Sequence, residues 1–260
     1  MTFAQAIIIA FVEGITEFLP ISSTGHMIIA ETILGVNIDD FTKAFTVNIQ
    51  FGAILSVIVL YWKRFFQTWD FYFKLGVACL PLIIAYLLEK KIDAMLGSIL
   101  IVAASLLVGG VFLIFADKLF DRPENEKTQL TYKRSFLIGL FQIISVIPGV
   151  SRSAATIIGG MSQKLSRKNA AEFSFFLAVP TMFAASALKL TENYKLINTD
   201  NIHLLIAGNI VSFIVAIFAI KSFIAFLTKH GFRYFGYYRI IVGAILLLMI
   251  AFGIDMKFAG

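Results

Sequence analysis

FAQAIIIAFVEGITEFLPISSTGHMIIAETIL, residues Phe3–Leu34, is the stretch on which the reading of the fold turns. Crossing about 30 Å of hydrocarbon takes about 20 apolar residues in a helix. Met1–Val12 is uncharged but stops short of that length at Glu13. A polar stretch follows, Glu13–His26, EGITEFLPISSTGH, and apolar residues resume at Met27. Pro20 removes a backbone donor and breaks the helix. Broken backbone at membrane depth is tolerated only where protein or a wet cavity surrounds it. Phe3–Leu34 is therefore expected to be a re-entrant helical hairpin, entering and leaving on one face. Phe136–Met161, FLIGLFQIISVIPGVSRSAATIIGGM, repeats the pattern. Ser135–Ile147 is uncharged, Pro148-Gly149 interrupts it, and Arg152 follows.

Composition sets the solvent. Of 260 residues, 59% are hydrophobic and 15% charged, against about 25% charged in a soluble domain. Mean hydropathy is +0.87. Too little charge remains to cover a soluble globule, which leaves an all-α polytopic membrane protein. Six spans are expected: Ala44–Trp62, Phe71–Leu88, Ala94–Ala116, Phe173–Leu188, Ile202–Ile220 and Ile240–Ile254. With one hairpin before the first span and one before the fourth, residues 1–260 form a single membrane domain of two halves, roughly 1–120 and 130–260. An odd number of spans per half inverts the halves in the membrane. A shift of 128 residues lays Pro20 on Pro148, Ser23 on Ser151 and Phe45 on Phe173.

Net charge is +6. No basic cluster sits in a soluble domain, so nucleic acid is not an expected partner. Of the 22 Lys and Arg, fifteen, from Lys63 and Arg64 to Arg233 and Arg239, fall on one face, six on the other, and Arg152 on neither. The positive-inside bias puts the larger set in the cytoplasm. Both termini and the first hairpin then open outward and the second opens inward, with the two tips meeting near mid-membrane. Met1–Gln5 has no basic side chain before its apolar run, unlike a cleavable secretory signal. Cys79 stands alone, which excludes an intrachain disulfide.

Glu13 and Glu17 are four apart, on one helix face. Such a pair is usually solvated, but an ionisable residue within a membrane is by default a functional candidate. Ser22, Ser23 and Thr24 begin the next helix, where hydroxyls cap well and free N–H groups attract anions. His26, one turn in, transfers protons near neutral pH. In the second hairpin Ser151 can cap the helix. Arg152 needs a paired anion at membrane depth, and its planar fork fits a phosphate. An internal ion pair with Glu13 or Glu17 is the alternative, and both can hold in turn. Thr46, Asn48, Gln50, Glu172 and Ser174 either line the cavity or join helices. Gly109-Gly110 reads as close helix packing, and Tyr237 and Tyr238 as interface anchors.

Glu13–His26 and Pro148–Thr156, PGVSRSAAT, resemble the two signatures of bacterial undecaprenyl-diphosphate phosphatases, the bacitracin resistance protein family. Ala154 stands where that family usually has Gly. The resemblance covers essentially the whole chain. It implies hydrolysis of the terminal phosphate of undecaprenyl diphosphate, which gives the monophosphate carrier lipid for cell-wall synthesis and confers bacitracin resistance. It implies a bacterial cytoplasmic-membrane location and a divalent cation, Mg2+ or Ca2+. Glu13, Glu17, Ser23, His26, Ser151, Arg152 and Thr156 match its functional positions.

The residues agree with that chemistry, since phosphoryl transfer needs positioning and charge neutralisation above all. Arg152 would clamp the terminal phosphate, with Ser151, Thr156, Ser22, Ser153 and helix-start N–H groups holding its oxygens. Ser23 is the preferred nucleophile, with His26 as its base and Glu17 orienting His26. Glu13, alone or with Glu17, would bind the metal. His26 as nucleophile and direct attack by water stay open. So does a lipid flippase, since broken helices at mid-membrane also build transporters. A homo-oligomer stays open as well.

Overall fold

The structure, a computed structural model, describes residues 1–65, 68–87, 98–120 and 129–256. The helices are α1 (Phe3–Thr16), α2 (Ser23–Ile33), α3 (Asp40–Leu60), α4 (Trp69–Cys79), α5 (Leu82–Leu87) and α6 (Ile99–Phe120). They continue with α7 (Tyr132–Ile144), α8 (Arg152–Ser162), α9 (Arg167–Asn193), α10 (Ile202–His230) and α11 (Arg233–Ala251). No strand occurs among the described residues.

Local sequence sets several helix starts. Thr2 and Gln5 form a reciprocal capping box on α1. The Asp39 carboxylate accepts the Thr42 N–H at 2.7 Å on α3, and Ser166 caps α9. Among the described residues five helices, α3, α6, α9, α10 and α11, are long and apolar enough to cross a membrane. Their outward faces are apolar: Phe112, Val108, Phe218 and Ile241 are exposed. Polar side chains such as Glu13, Thr156, Gln142 and Arg239 are buried. This inside-out arrangement suits a lipid solvent.

The expected span Phe71–Leu88 is not one continuous helix. It is two short helices, α4 and α5, parted at Leu80-Pro81; Leu88 lies outside the described residues, as do 94–97 of the next expected span. Pro81 lacks the N–H that would continue α4. The break also lies where α7 comes close, since a Cβ on Gly139 would sit 2.3 Å from the Ala78 carbonyl oxygen and 2.9 Å from Pro81 Cγ. Pro180, by contrast, lies inside the unbroken α9.

In each expected hairpin region two helices pack together: α1 on α2, and α7 on α8. Around them α1 packs on α10, α4 on α7, α3 on α9 and α10, and α6 on α11. Gly110 and Gly236 bring α6 and α11 together; a Cβ on either would meet the other's carbonyl oxygen at 2.8 or 2.6 Å. Small residues permit such approach. At one end of the bundle Asp117, near the end of α6, accepts Arg167 Nε at 2.9 Å and the Phe232 N–H at 2.7 Å. At that end too, Arg64, after α3, pairs with Glu172 of α9.

Candidate functional site

The site is built where the two hairpins break. Ser22 and Ser151 are the residues before α2 and α8, and both hold a positive φ, 68° and 76°. Non-glycine residues rarely adopt such backbone, and it costs about 1–3 kcal/mol each when imposed. Ser22 and Ser151 thus take the same backbone conformation at the same place, one residue ahead of a helix. Gly149, with φ 90°, has no alternative residue: a Cβ there would lie 2.5 Å from the Val102 carbonyl oxygen of α6. Gly149→Ala is expected to destabilise the protein by about 2 kcal/mol or more. A thermal melt in detergent checks this, and an unchanged midpoint would remove the constraint.

The two turns touch. Ser153 Oγ donates to the Leu19 carbonyl at 2.7 Å, and Ser151 and Ser153 share a hydroxyl hydrogen bond of 3.0 Å. Glu17, just after α1, bridges the halves: its Oε2 accepts from Ser23 Oγ at 2.7 Å, and its Oε1 accepts from Arg152 Nη2 at 2.9 Å. The Arg152 and Glu17 side chains are only 14% and 9% exposed, so the pair is shielded from water and losing either partner would strand a buried charge. Arg152 Nη1 also donates to the Ser174 carbonyl at 3.3 Å, and the guanidinium lies over the Phe18 ring. Its Nε–H is buried with no partner. One polar cavity of about 180 Å³ is lined by Glu17, Ser22, Ser23, Thr24, Gln50, Ser145, Ser151 and Arg152 among others.

Other expected residues stand back from that cavity. Thr156 is fully buried, its hydroxyl sharing a 2.6 Å hydrogen bond with Ser174 Oγ and donating to the Arg152 carbonyl. Ser153 faces Leu19. His26 is turned toward α11: Nδ1 lies 2.8 Å from the Ser22 carbonyl and Nε2 2.8 Å from the Tyr238 hydroxyl. A carbonyl only accepts, so Nδ1 carries a proton, and in the neutral imidazole Nε2 accepts from Tyr238. Glu17 thus orients Ser23 and Arg152, and His26 is held by Ser22 and Tyr238. Glu13 is buried one turn from Glu17, with Oε1 lacking a partner. Asn48 joins helices, accepting from Asn209 Nδ2 at 2.7 Å, whereas Gln50 lines the cavity.

Sequence reasoning misplaced Arg239, counted with the basic face, and missed the role of Tyr238, read as an interface anchor. Arg239 is fully buried between the two turns and α6. The available signal was depth: Arg239 follows the first residue of α11, Arg233, by six positions, about 9 Å along a helix.

An apolar groove of about 570 Å³ adjoins the polar cavity, with Ile147 lining both; Val108, Phe112, Phe141, Ile144 and Ile158 line the groove. Fold and site together define a helical membrane protein with a polar pocket, lined by hydroxyls, a carboxylate and an arginine, where two helix pairs break. The chain belongs to the bacitracin resistance protein BacA family, whose model matches residues 6–245. Similar proteins include the undecaprenyl-diphosphatase of Flavobacterium psychrophilum, 60% identical over 253 residues and 96% of each chain. That of Porphyromonas gingivalis strain W83 is 52% identical over 280 residues, 98% of this chain and 99% of its own. That of Aquifex aeolicus is 47% identical over 249 residues, 94% and 97% of the two chains.

Proposed function

We propose that this protein removes the terminal phosphate of undecaprenyl diphosphate, releasing undecaprenyl phosphate and inorganic phosphate. The observation that carries the reading is the buried Glu17 carboxylate shared between a hydroxyl and a guanidinium, one from each hairpin. The protein recycles the carrier lipid and lowers the pool of free diphosphate, which accounts for bacitracin resistance.

In the resting site Arg152 is held by Glu17. An entering diphosphate offers it a stronger anion, and the free Nε–H supplies a second donor beside the Nη2 fork. Ser22 and Ser151 line the same cavity and hold phosphate oxygens; Ser153 and Thr156 support that wall from behind. Ser23 attacks the terminal phosphorus as its proton passes to Glu17 Oε2, a base already in hydrogen-bond contact. The bond to the bridging oxygen breaks and the lipid monophosphate leaves. Water then attacks the phosphoserine, its proton passing to a carboxylate or to His26, and phosphate and free Ser23 are regenerated. For His26 to take part in either step, it must leave Tyr238. The lipid tail lies in the apolar groove beyond Ile147.

Glu13 and Glu17 form an oxygen-only donor pair, and the orphaned Glu13 Oε1 suits a hard cation. Mg2+ is commonly held by one or two carboxylates together with substrate phosphates, which fits a site where no cluster of three or more acidic, His or Cys ligands occurs among the described residues. Bound there, Mg2+ or Ca2+ would neutralise diphosphate charge.

The two halves, roughly 1–120 and 130–260, form one membrane domain as an inverted repeat, with α4–α5 completing a sixth crossing and both hairpins re-entrant. Exchanging the halves turns the α1–α10 contact into α7–α4, and α2–α11 into α8–α6, and keeps α3–α9 and α6–α11. Lys63, Arg64, Lys118, Arg167 and Arg233 gather at the Asp117 end, which favours that end as cytoplasmic and both termini as outside. The repeat also suits a flippase. Purified protein in detergent with undecaprenyl diphosphate separates the two, because a flippase releases no phosphate. In the same assay Glu13→Gln is expected to raise the Mg2+ concentration for half-maximal rate by about tenfold or more, and an unshifted requirement would remove Glu13 from the metal.

A further inference from the structure

Arg239 touches none of the residues assigned to the reaction, yet it is the fully buried cation closest to both turns. All five of its N–H donors meet carbonyl oxygens. Nη1 donates to Pro20 at 3.3 Å and Val150 at 2.8 Å. Nη2 donates to Gly149 at 2.8 Å and Ser105 at 3.0 Å. Nε donates to Leu106 at 3.5 Å. One planar group thus joins the first turn, the second turn and α6. A guanidinium has five donors in a fixed fork, so satisfying all of them fixes where the three segments lie. Pro20 is three residues from Glu17 and three from Ser23, and Val150 is two from Arg152. The neighbouring Tyr238 holds His26.

We propose that Arg239 is a positioning residue for the phosphatase reaction: it pins the two hairpin turns together so that the Glu17–Ser23 arm faces the Arg152 arm. The proposal rests on the phosphatase reading. It assigns Arg239 no contact with the diphosphate, because the polar cavity is lined without it; Arg239 and Gly109 border only the apolar groove. Its chemistry is an internal one, carbonyl groups of two broken helices held by a single cation. A displaced turn costs rate steeply, since a misplacement of about 1 Å can lower turnover by about 100-fold.

The structure supplies a way to move the guanidinium without replacing it. A Cβ on Gly109 would lie 2.4 Å from Arg239 Nη2 and 2.9 Å from its Cζ. Those atoms are the far end of a flexible side chain, so the helices can stay packed while the fork is pushed off its carbonyls. The experiment measures kcat, KM and thermal midpoint of detergent-purified wild type, Arg239→Ala, Arg239→Lys, Gly109→Ala and Gly109→Ala with Arg239→Ala. Gly109→Ala and Arg239→Ala are expected to lower kcat by about 10- to 100-fold with KM changed by less than about threefold. Arg239→Lys, with one donor centre in place of a fork, is expected to recover only part of kcat. In the double variant Gly109→Ala adds no further loss, because both changes act through one contact.

Wild-type kcat in Arg239→Ala, a rise in KM at constant kcat, or losses that multiply in the double variant would each overturn the positioning role. Should Arg239→Ala fail to fold, Gly109→Ala decides: kcat lowered at an unchanged thermal midpoint supports the role, and unchanged kcat overturns it. A wild-type chain that releases no phosphate removes the phosphatase reading and this inference with it. An active wild type with undiminished kcat in Arg239→Ala removes the inference alone.

Discussion

Arg152→Ala is expected to lower phosphate release by about 1,000-fold or more. Arg152 is the one basic side chain lining the polar cavity among the described residues. Its Nη2 is held by Glu17 at 2.9 Å, and its Nε–H is buried without a partner. A guanidinium so placed neutralises charge as the terminal phosphoryl group transfers, with no reorganisation at the moment of reaction. Lysine carries the charge but not the fork, so Arg152→Lys is expected to recover little. Stability complicates the single variant, because removing one partner of a buried pair costs about 3–5 kcal/mol. The control is Arg152→Ala combined with Glu17→Gln, which removes the uncompensated carboxylate. Its thermal midpoint is expected to return toward wild type while activity stays lost. Most of the activity surviving in a folded Arg152→Ala protein would take Arg152 out of the site.

The two helix breaks were legible in the sequence because two uncharged runs, Met1–Val12 and Ser135–Ile147, are each too short to cross and each ends at a break. Length and charge decide that much with no knowledge of neighbours. The Glu17–Arg152 pairing was legible as one of two choices, since Glu13 and Glu17 are the acids of the facing break. The fate of a proline was not legible. Pro81 divides a run while Pro180 sits inside a continuous helix, and the difference depends on what packs there: Gly139 of α7 meets the chain at Ala78 and Pro81. Arg239 was hidden for a related reason. A cation satisfied by backbone carbonyls needs no complementary side chain, and carbonyls carry no sequence mark. His26 and Tyr238 are 212 residues apart, so only the packing of α11 against the hairpins shows that they meet. The positive φ shared by Ser22 and Ser151 was not legible either, since nothing in the residue type serine calls for it.

Ser23→Ala is the sharper experiment, because it separates three chemistries that share one pocket. With Ser23 as nucleophile, its loss is expected to lower turnover by about 10,000-fold or more, as removing a nucleophile does in other hydrolases. Substrate affinity should change little, since Arg152 and the remaining hydroxyls still hold the phosphate. The Ser23–Glu17 contact of 2.7 Å makes the reading specific: the hydroxyl already donates to the group that must take its proton. Glu17→Gln keeps a carbonyl oxygen able to accept that hydrogen bond but lacks the basicity to take the proton, so it should also fall steeply. Rapid acid quenching with substrate labelled in the terminal phosphate tests the intermediate directly. Label that survives acid and maps to Ser23 supports a phosphoserine. Label that is lost in acid but kept in base points to His26, whose Nε2 must then first release Tyr238. Near-normal turnover in Ser23→Ala with no trapped label would leave water as the attacking group, and Glu17 would then act on water rather than on a hydroxyl.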